Sequence, residues 1–180
     1  MKYLLEGEET ERLKFRLLER EDFKDWEPLF QVENVAEFLA LDSSLSAKAL
    51  CELWFEKIFY RYDNDLGGMN VLIEKQTGRF IGQCGLLVQS VEEEQRLEIG
   101  YSILPEFWGM GYASEAAKKC KDYAFTNDFS DSLISMVHIN NIGSEKVARK
   151  NGMSLERTLE DYRGTTANIF RIDKKDWLFQ

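Results

Sequence analysis

Residues 97–125, LEIGYSILPEFWGMGYASEAAKKCKDYAF, constrain the fold more than any other stretch. Leu97, Ile99, Tyr101 and Ile103 alternate with Glu98, Gly100, Ser102 and Leu104, which is the period of a strand. Pro105 ends that strand, because proline cannot donate to a ladder. Gly109 and Gly111 then punctuate a turn. From Tyr112 the spacing becomes helical, with Ala113, Ala116, Ala117, Cys120, Tyr123 and Ala124 largely on one side. Glycines just before a helix let the backbone approach a ligand. The unpaired N–H groups of a helix N-terminus attract anions into the same space. The stretch therefore reads either as a backbone cradle for a pyrophosphate or as a tight turn whose glycines only supply positive φ. Two other phosphate loops do not fit. GxxxxGK(S/T) needs lysine where Tyr112 stands, and GxGxxG needs glycine where Ser114 stands.

The length of 180 residues suits a single domain, 1–180, with a sizeable core. No apolar run reaches the roughly 20 residues that span a bilayer, and the N-terminus lacks the apolar centre of a signal peptide. Cys51, Cys84 and Cys120 are odd in number, widely spaced and form no CxxC pair. Neither a disulfide framework nor a metal site is indicated, and a reducing cytoplasm is the expected home, with no membrane partner. A net charge of -9 argues against a nucleic-acid partner, which needs a basic footprint. It is compatible with a cationic acceptor, although acidic balance also simply keeps a protein soluble.

Along the chain, residues 1–11 read as a loose polar lead-in and residues 12–17 as a first strand. A helix is expected over 22–31, bent near Pro28, and a second from a Ser46 cap through about Tyr62. The Leu50, Leu53, Trp54, Phe55 and Ile58 face of the latter reads as core packing. Residues 65–68 read as a turn, and 71–75 with 79–88 as a hairpin, with Gly82 and Gly85 marking a bulge or close packing. A charged turn over 91–95 precedes the central strand. A strand over 133–139 leads into a helix opened by Gly143 or Ser144 and ended near Asn151 and Gly152. Strands over 153–158 and 168–172 follow, joined by a loop, EDYRGTTA.

The segment Trp108-Gly109-Met110-Gly111-Tyr112-Ala113 resembles the acetyl-CoA motif Q/R-x-x-G-x-G/A of the GNAT superfamily of N-acetyltransferases. The wider wording EIGYSILPEFWGMGYASEA and the opening TERLKFRLLEREDF resemble the branch that includes bacterial ribosomal-protein N-terminal acetyltransferases. Trp108 departs from Gln/Arg, and Met110 stands where lysine or arginine is common, which removes a side-chain salt link to phosphate. The run from His138 through Ser144 into EKVARKNGM resembles the family's N-x-x-S…K-x-G-F segment, with Asn141, Ser144, Lys150 and Gly152 matched and Met153 replacing phenylalanine.

The resemblance implies an α/β (α+β) GNAT fold: a mixed, mostly antiparallel sheet of about seven strands flanked by about four helices. It implies acetyl-CoA as co-substrate, with no metal, and direct transfer to a primary amine. It implies coenzyme contacts from Ser102, Ile103, Leu104, Gly109, Met110, Gly111, Tyr112, Ala113, Ser114, Asn141 and Ser144. Lys146, Arg149 and Lys150 could meet the 3′-phosphate or be only a solvated helix face. Many members use a tyrosine as the acid, where this chain has Ala148; the role passes to Ser144 or to water. Ser144 could equally be the N-cap of its helix. Glu98 is the candidate base, with a structural carboxylate paired to Arg79 or Arg96 as the alternative. His138, the only histidine, reads as a strand-end residue. Glu115 reads as a charge favourable near a helix N-terminus. The expected partner is a protein or peptide N-terminus, with a small amine or a non-catalytic acyl-CoA-binding module as alternatives, and the expected state is monomer or homodimer.

Overall fold

In the computed structural model, which describes residues 2–178, alternation along the central strands builds a seven-stranded sheet. The strands are β1 (Leu13–Arg16), β2 (Gly67–Glu74), β3 (Phe80–Val91), β4 (Glu94–Ile103), β5 (Ser132–His138), β6 (Ser154–Tyr162) and β7 (Thr165–Asp173). Their order is β1-β2-β3-β4-β5-β7-β6. Every neighbouring pair is antiparallel except β4 and β5, which run parallel and meet at one pair, Glu98 with Ile134.

The helical segments are α1 (Phe23–Trp26), α2 (Val35–Phe38), α3 (Ala47–Asp63), α4 (Tyr112–Thr126), α5 (Ile142–Lys150) and α6 (Lys174–Trp177). Helix α4 lays Ala116, Ala117, Cys120 and Ala124 against one face of the sheet, all buried. Small side chains there allow close approach, and the Cys84 and Cys120 thiols lie 3.5 Å apart, unbonded. Helix α3 covers the other face. The Ser46 hydroxyl accepts from Ala49 N–H and caps it as expected. Trp54 donates its indole N–H to Gln83 Oε1 at 3.0 Å and packs against Trp26 and Phe30, so Leu50, Trp54, Phe55 and Ile58 are core as expected, whereas Leu53 turns outward and is exposed.

Several boundaries differ from expectation for identifiable reasons. Residues 2–11 are tied down: Leu4 and Leu5 are buried, and Leu5 N–H reaches Asn70 Oδ1. The expected helix over 22–31 is broken into α1 flanked by 3₁₀ turns, with Pro28 opening the second turn. The turn expected over 65–68 is shorter, since β2 already starts at Gly67. The charged turn narrows to Glu92 and Glu93, both at positive φ, which is the two-residue hairpin geometry. The expected loop EDYRGTTA is mostly ladder, because β6 and β7 extend to a tight tip at Arg163 and Gly164.

Candidate active site

The cradle forms where β4 passes through a short 3₁₀ turn, Pro105–Phe107, into α4. Gly109 and Gly111 have φ of 76° and 86°, a region that strains other residues. Among the described residues, the backbone N–H groups of Gly109, Gly111, Tyr112, Ala113 and Ser114 have no hydrogen-bond acceptor. A Cβ added at Gly109 would meet nothing within 4 Å. The loop is braced from behind. Arg12 pairs with Glu115 (Nε to Oε2, 2.6 Å), donates to Met110 O at 3.0 Å and stacks on the Tyr112 ring. Glu115 is thus a brace to the first strand, in addition to lying near the helix N-terminus. Trp108 donates its indole N–H to Ile103 O at 2.6 Å, joining the turn to the end of β4.

Beyond the Glu98–Ile134 pair, β4 and β5 part. Glu98 sits at that fork and is buried. Its carboxylate accepts from Gln89 Nε2 at 2.6 Å and from the backbone N–H of Met136 on β5 at 3.3 Å. Neither expected arginine reaches it: Arg79 pairs with Glu106 and Arg96 with Glu156, so that alternative is corrected. Burial pushes the Glu98 carboxyl above the usual carboxylate range, while its hydrogen bonds and the Lys57 and Arg61 charges hold it down. Ser102 and Ile103 lie farther along the same strand, toward the cradle, and Leu104 follows as the cap of the 3₁₀ turn.

Helix α5 lies across the fork. Asn141 is its N-cap, accepting from Ser144 N–H at 3.0 Å, so Ser144 is the third helical residue and not the cap. The Ser144 carbonyl accepts from the Tyr101 hydroxyl at 2.7 Å, which ties α5 to β4. The Ser144 hydroxyl has no partner among the described residues. Asn151 Nδ2 donates to Ser114 O at 3.3 Å, joining the end of α5 to the start of the cradle helix. Arg149 pairs with Glu145, while Lys146 and Lys150 are exposed. His138 is buried at the strand end, 3.2 Å from Glu37 and against the Phe38 ring. Its environment, set by α2, is not that of a surface histidine.

The site therefore gathers Glu98, Ser144, Asn141 and the cradle around one fork in the sheet. Sequence reasoning missed Gln89, Lys57, Arg61 and Tyr162, which act on Glu98 from β3, α3 and the end of β6, and Arg163, whose charge acts on Lys57 and Arg61 from the β6–β7 tip. Lys57 is lowered to about 8 by burial and by the Arg163 and Arg61 charges. The period-2 alternation of 87–89 and the i, i+4 spacing of Lys57 and Arg61 were the available signals.

The residues fit an acyl-coenzyme A. The cradle offers unpaired N–H groups to a pyrophosphate, and the open side of β4 offers backbone to an extended chain. The described helices include none long and apolar enough to cross a membrane. Residues 12–154 match the family model described as an acetyltransferase (GNAT) domain. The uncharacterised protein YkkB of Bacillus subtilis (strain 168) is 32% identical over 157 residues, 85% of this chain and 88% of that protein. A spermidine N-acetyltransferase from Vibrio cholerae, solved with CoA and spermine, shares the fold with TM-score 0.72 and 21% identity, over 94% of this chain and 99% of that one. The ribosomal-protein alpha-N acetyltransferase RimL, solved with coenzyme A, does so with TM-score 0.71 and 16% identity, over 93% and 97%. With the motif, the forked sheet and the family match in agreement, this chain belongs to the GNAT acetyltransferases and is an acyltransferase enzyme.

Proposed function

We propose that the chain acts as a single-domain cytoplasmic enzyme moving an acetyl group from acetyl-CoA directly to the α-amine of a peptide or protein. The observation that carries this reading is the buried Glu98 carboxylate at the fork, held by an amide and a backbone N–H and left free to take a proton. Acetyl-CoA, when bound, supplies an activated thioester. Gly109 to Ser114 would hold its pyrophosphate through backbone N–H groups, with Ser102, Ile103, Leu104 and Asn141 along its length. Glu98 accepts the proton of the incoming ammonium, and its upward shift from burial brings it closer to that amine's own pKa. The Ser144 hydroxyl on α5, without a partner among the described residues, donates to the departing sulfur.

An α-amine has a pKa of roughly 7.7–8.0 against about 10.4 for lysine, so on the order of one-tenth of it is neutral at pH 7. A single modest base therefore suffices for the α-amine. Lys57 and Arg61 near Glu98, with the Arg163 charge acting on both, also disfavour a polycationic acceptor. The same charges depress the pKa of any ammonium entering the site, as they do that of Lys57.

Thiol release from acetyl-CoA across a panel of peptide α-amines, lysine side chains, polyamines and amino sugars tests the reading. Peptide α-amines should give the highest kcat/KM. Faster reaction of ε-amines or polyamines would overturn the acceptor assignment. CoA binding without thiol release from any amine would leave only an acyl-CoA-binding module.

A further inference from the structure

The cations around Glu98 are unspent. Lys57 and Arg61 lie one turn apart on α3 and face the sheet near Glu98, and Arg163, on the exposed β6–β7 tip, is close enough for its charge to lower both of them. Among the described residues, none of the three has a carboxylate within ion-pair distance. Arg61 is buried, anchored by Nη2 to Val88 O at 2.6 Å, and its Nε has no hydrogen-bond partner. Among the described residues, Arg163 has the ring of its neighbour Tyr162 as its contact. The one buried carboxylate there, Glu98, is held by Gln89 and Met136 instead. This gathering of positive charge stands in a chain with 32 acidic and 23 basic residues, where carboxylates to neutralise it are abundant. Set against the single Glu98 carboxylate, the buried Arg61 and half-buried Lys57 leave positive charge in excess, and such excess opposes folding. It cannot serve the coenzyme's pyrophosphate, because α3 and the cradle helix α4 lie on opposite faces of the sheet.

Two other features carry less. The cavity of about 230 Å³ beside the β6–β7 tip is lined by Glu92, Glu160 and Asp161, but Glu92 is already paired with Arg157 and Asp161 with Gly164 N–H. The Cys84 and Cys120 thiols are buried in the core, away from any oxidant.

We propose that Lys57 and Arg163, backed by Arg61, bind a carboxylate on the acceptor, so that the preferred substrate is a peptide α-amine with an acidic side chain in its first residue. The inference rests on the acetyl-transfer reading above and narrows its acceptor. When Glu98 takes the ammonium proton, the site loses its one anion, and the acceptor's carboxylate replaces that negative charge beside the cations.

The test compares tripeptide amides beginning with aspartate or with asparagine, alongside free aspartate and its amides. The aspartyl peptide should exceed the asparaginyl peptide in kcat/KM by about tenfold, the worth of one partly desolvated ion pair. Lys57→Met combined with Arg163→Asn should bring the ratio to about one. Arg163→Asn alone should lower it about threefold; asparagine tolerates the positive φ at this exposed tip, so this variant keeps its fold. Calorimetric binding of the same peptides to the protein saturated with CoA should give the same ranking without turnover. Absence of thiol release from every amine would overturn the catalytic reading, while the affinity ratio still judges the carboxylate site. Equal kcat/KM and equal affinity for the two peptides would overturn the proposal. So would a preference that survives the double variant, or one for the free α-carboxylate of aspartate over the side-chain carboxylate of the peptide.

Discussion

Glu98→Gln keeps the size of the side chain and its contact with Met136 N–H but removes the proton acceptor. The proposed base is most needed where the amine is protonated. The loss in kcat/KM should be about 10²-fold near pH 6.5 and shrink as pH rises past the amine pKa of roughly 8. A loss that is flat across a pH–rate profile would make Glu98 structural. Ser144→Ala separates two roles cleanly, because Asn141 is the cap. It should leave stability nearly unchanged and lower kcat by roughly ten- to a hundredfold, with little effect on acetyl-CoA affinity. Asn141→Ala should cost about 1 kcal/mol in denaturant unfolding. A wild-type kcat in Ser144→Ala would remove the serine from the chemistry. At this scale the residue types were legible in the sequence and their partners were not. Glu98 could be placed on one face of a strand, but its holders Gln89 and Met136 come from two other strands. Likewise Glu115 could be read as a helix-terminal charge, but its bond to Arg12 spans 103 positions.

The cradle is an element whose function lies in its backbone. Gly111→Asp places a carboxylate among the unpaired N–H groups, with only Arg12 Nη2 near its Cβ, at 3.5 Å. The variant should fold at some cost in stability, since aspartate is among the residues that adopt the left-handed region and nothing in the core is touched, and should lose detectable CoA binding by calorimetry. Unchanged affinity in a folded protein would discard the cradle assignment. Gly85 answers a different question. A Cβ there would lie 2.0 Å from Gly68 O in the neighbouring strand. Gly85→Ala should therefore cost about 3 kcal/mol in an unfolding titration, a steric cost with no specific effect on coenzyme. Strong periodicity and capping made α3, α4 and β4 readable to within a few residues. The single-turn α2 and α6 were missed because four residues carry too little pattern to distinguish a helix from a turn. The β6–β7 hairpin was underestimated because its outer strand is almost wholly exposed and lacks alternation.

Across the whole molecule, acidic balance and local positive charge pull in opposite directions. Burial and the Arg163 and Arg61 charges lower Lys57 from the ordinary lysine range to about 8. A lowered lysine pKa means that the unfolded chain holds that proton more tightly. The resulting destabilisation is fully present below about pH 8 and is relieved as pH climbs toward about 10.5. Lys57→Met should accordingly raise the melting temperature at pH 7, and its advantage over the wild type should shrink by pH 10. An advantage that grows with pH would mean the lysine is stabilised in the fold. The forked sheet has a consequence of its own. With one bridging pair between β4 and β5, the strands form two blocks, β1–β4 and β5–β7, joined there by that pair and by the side-chain bonds of Glu98 and Ser135. Beyond Glu98, β4 stays paired with β3 on one side, while its other side is an edge inside the protein, whose amides lack a strand pair among the described residues. In deuterium exchange these amides should label early in the free protein. Saturating CoA should slow their labelling more than that of any amide in the β2–β3 ladder, so that the ligand closes the seam the chain leaves open.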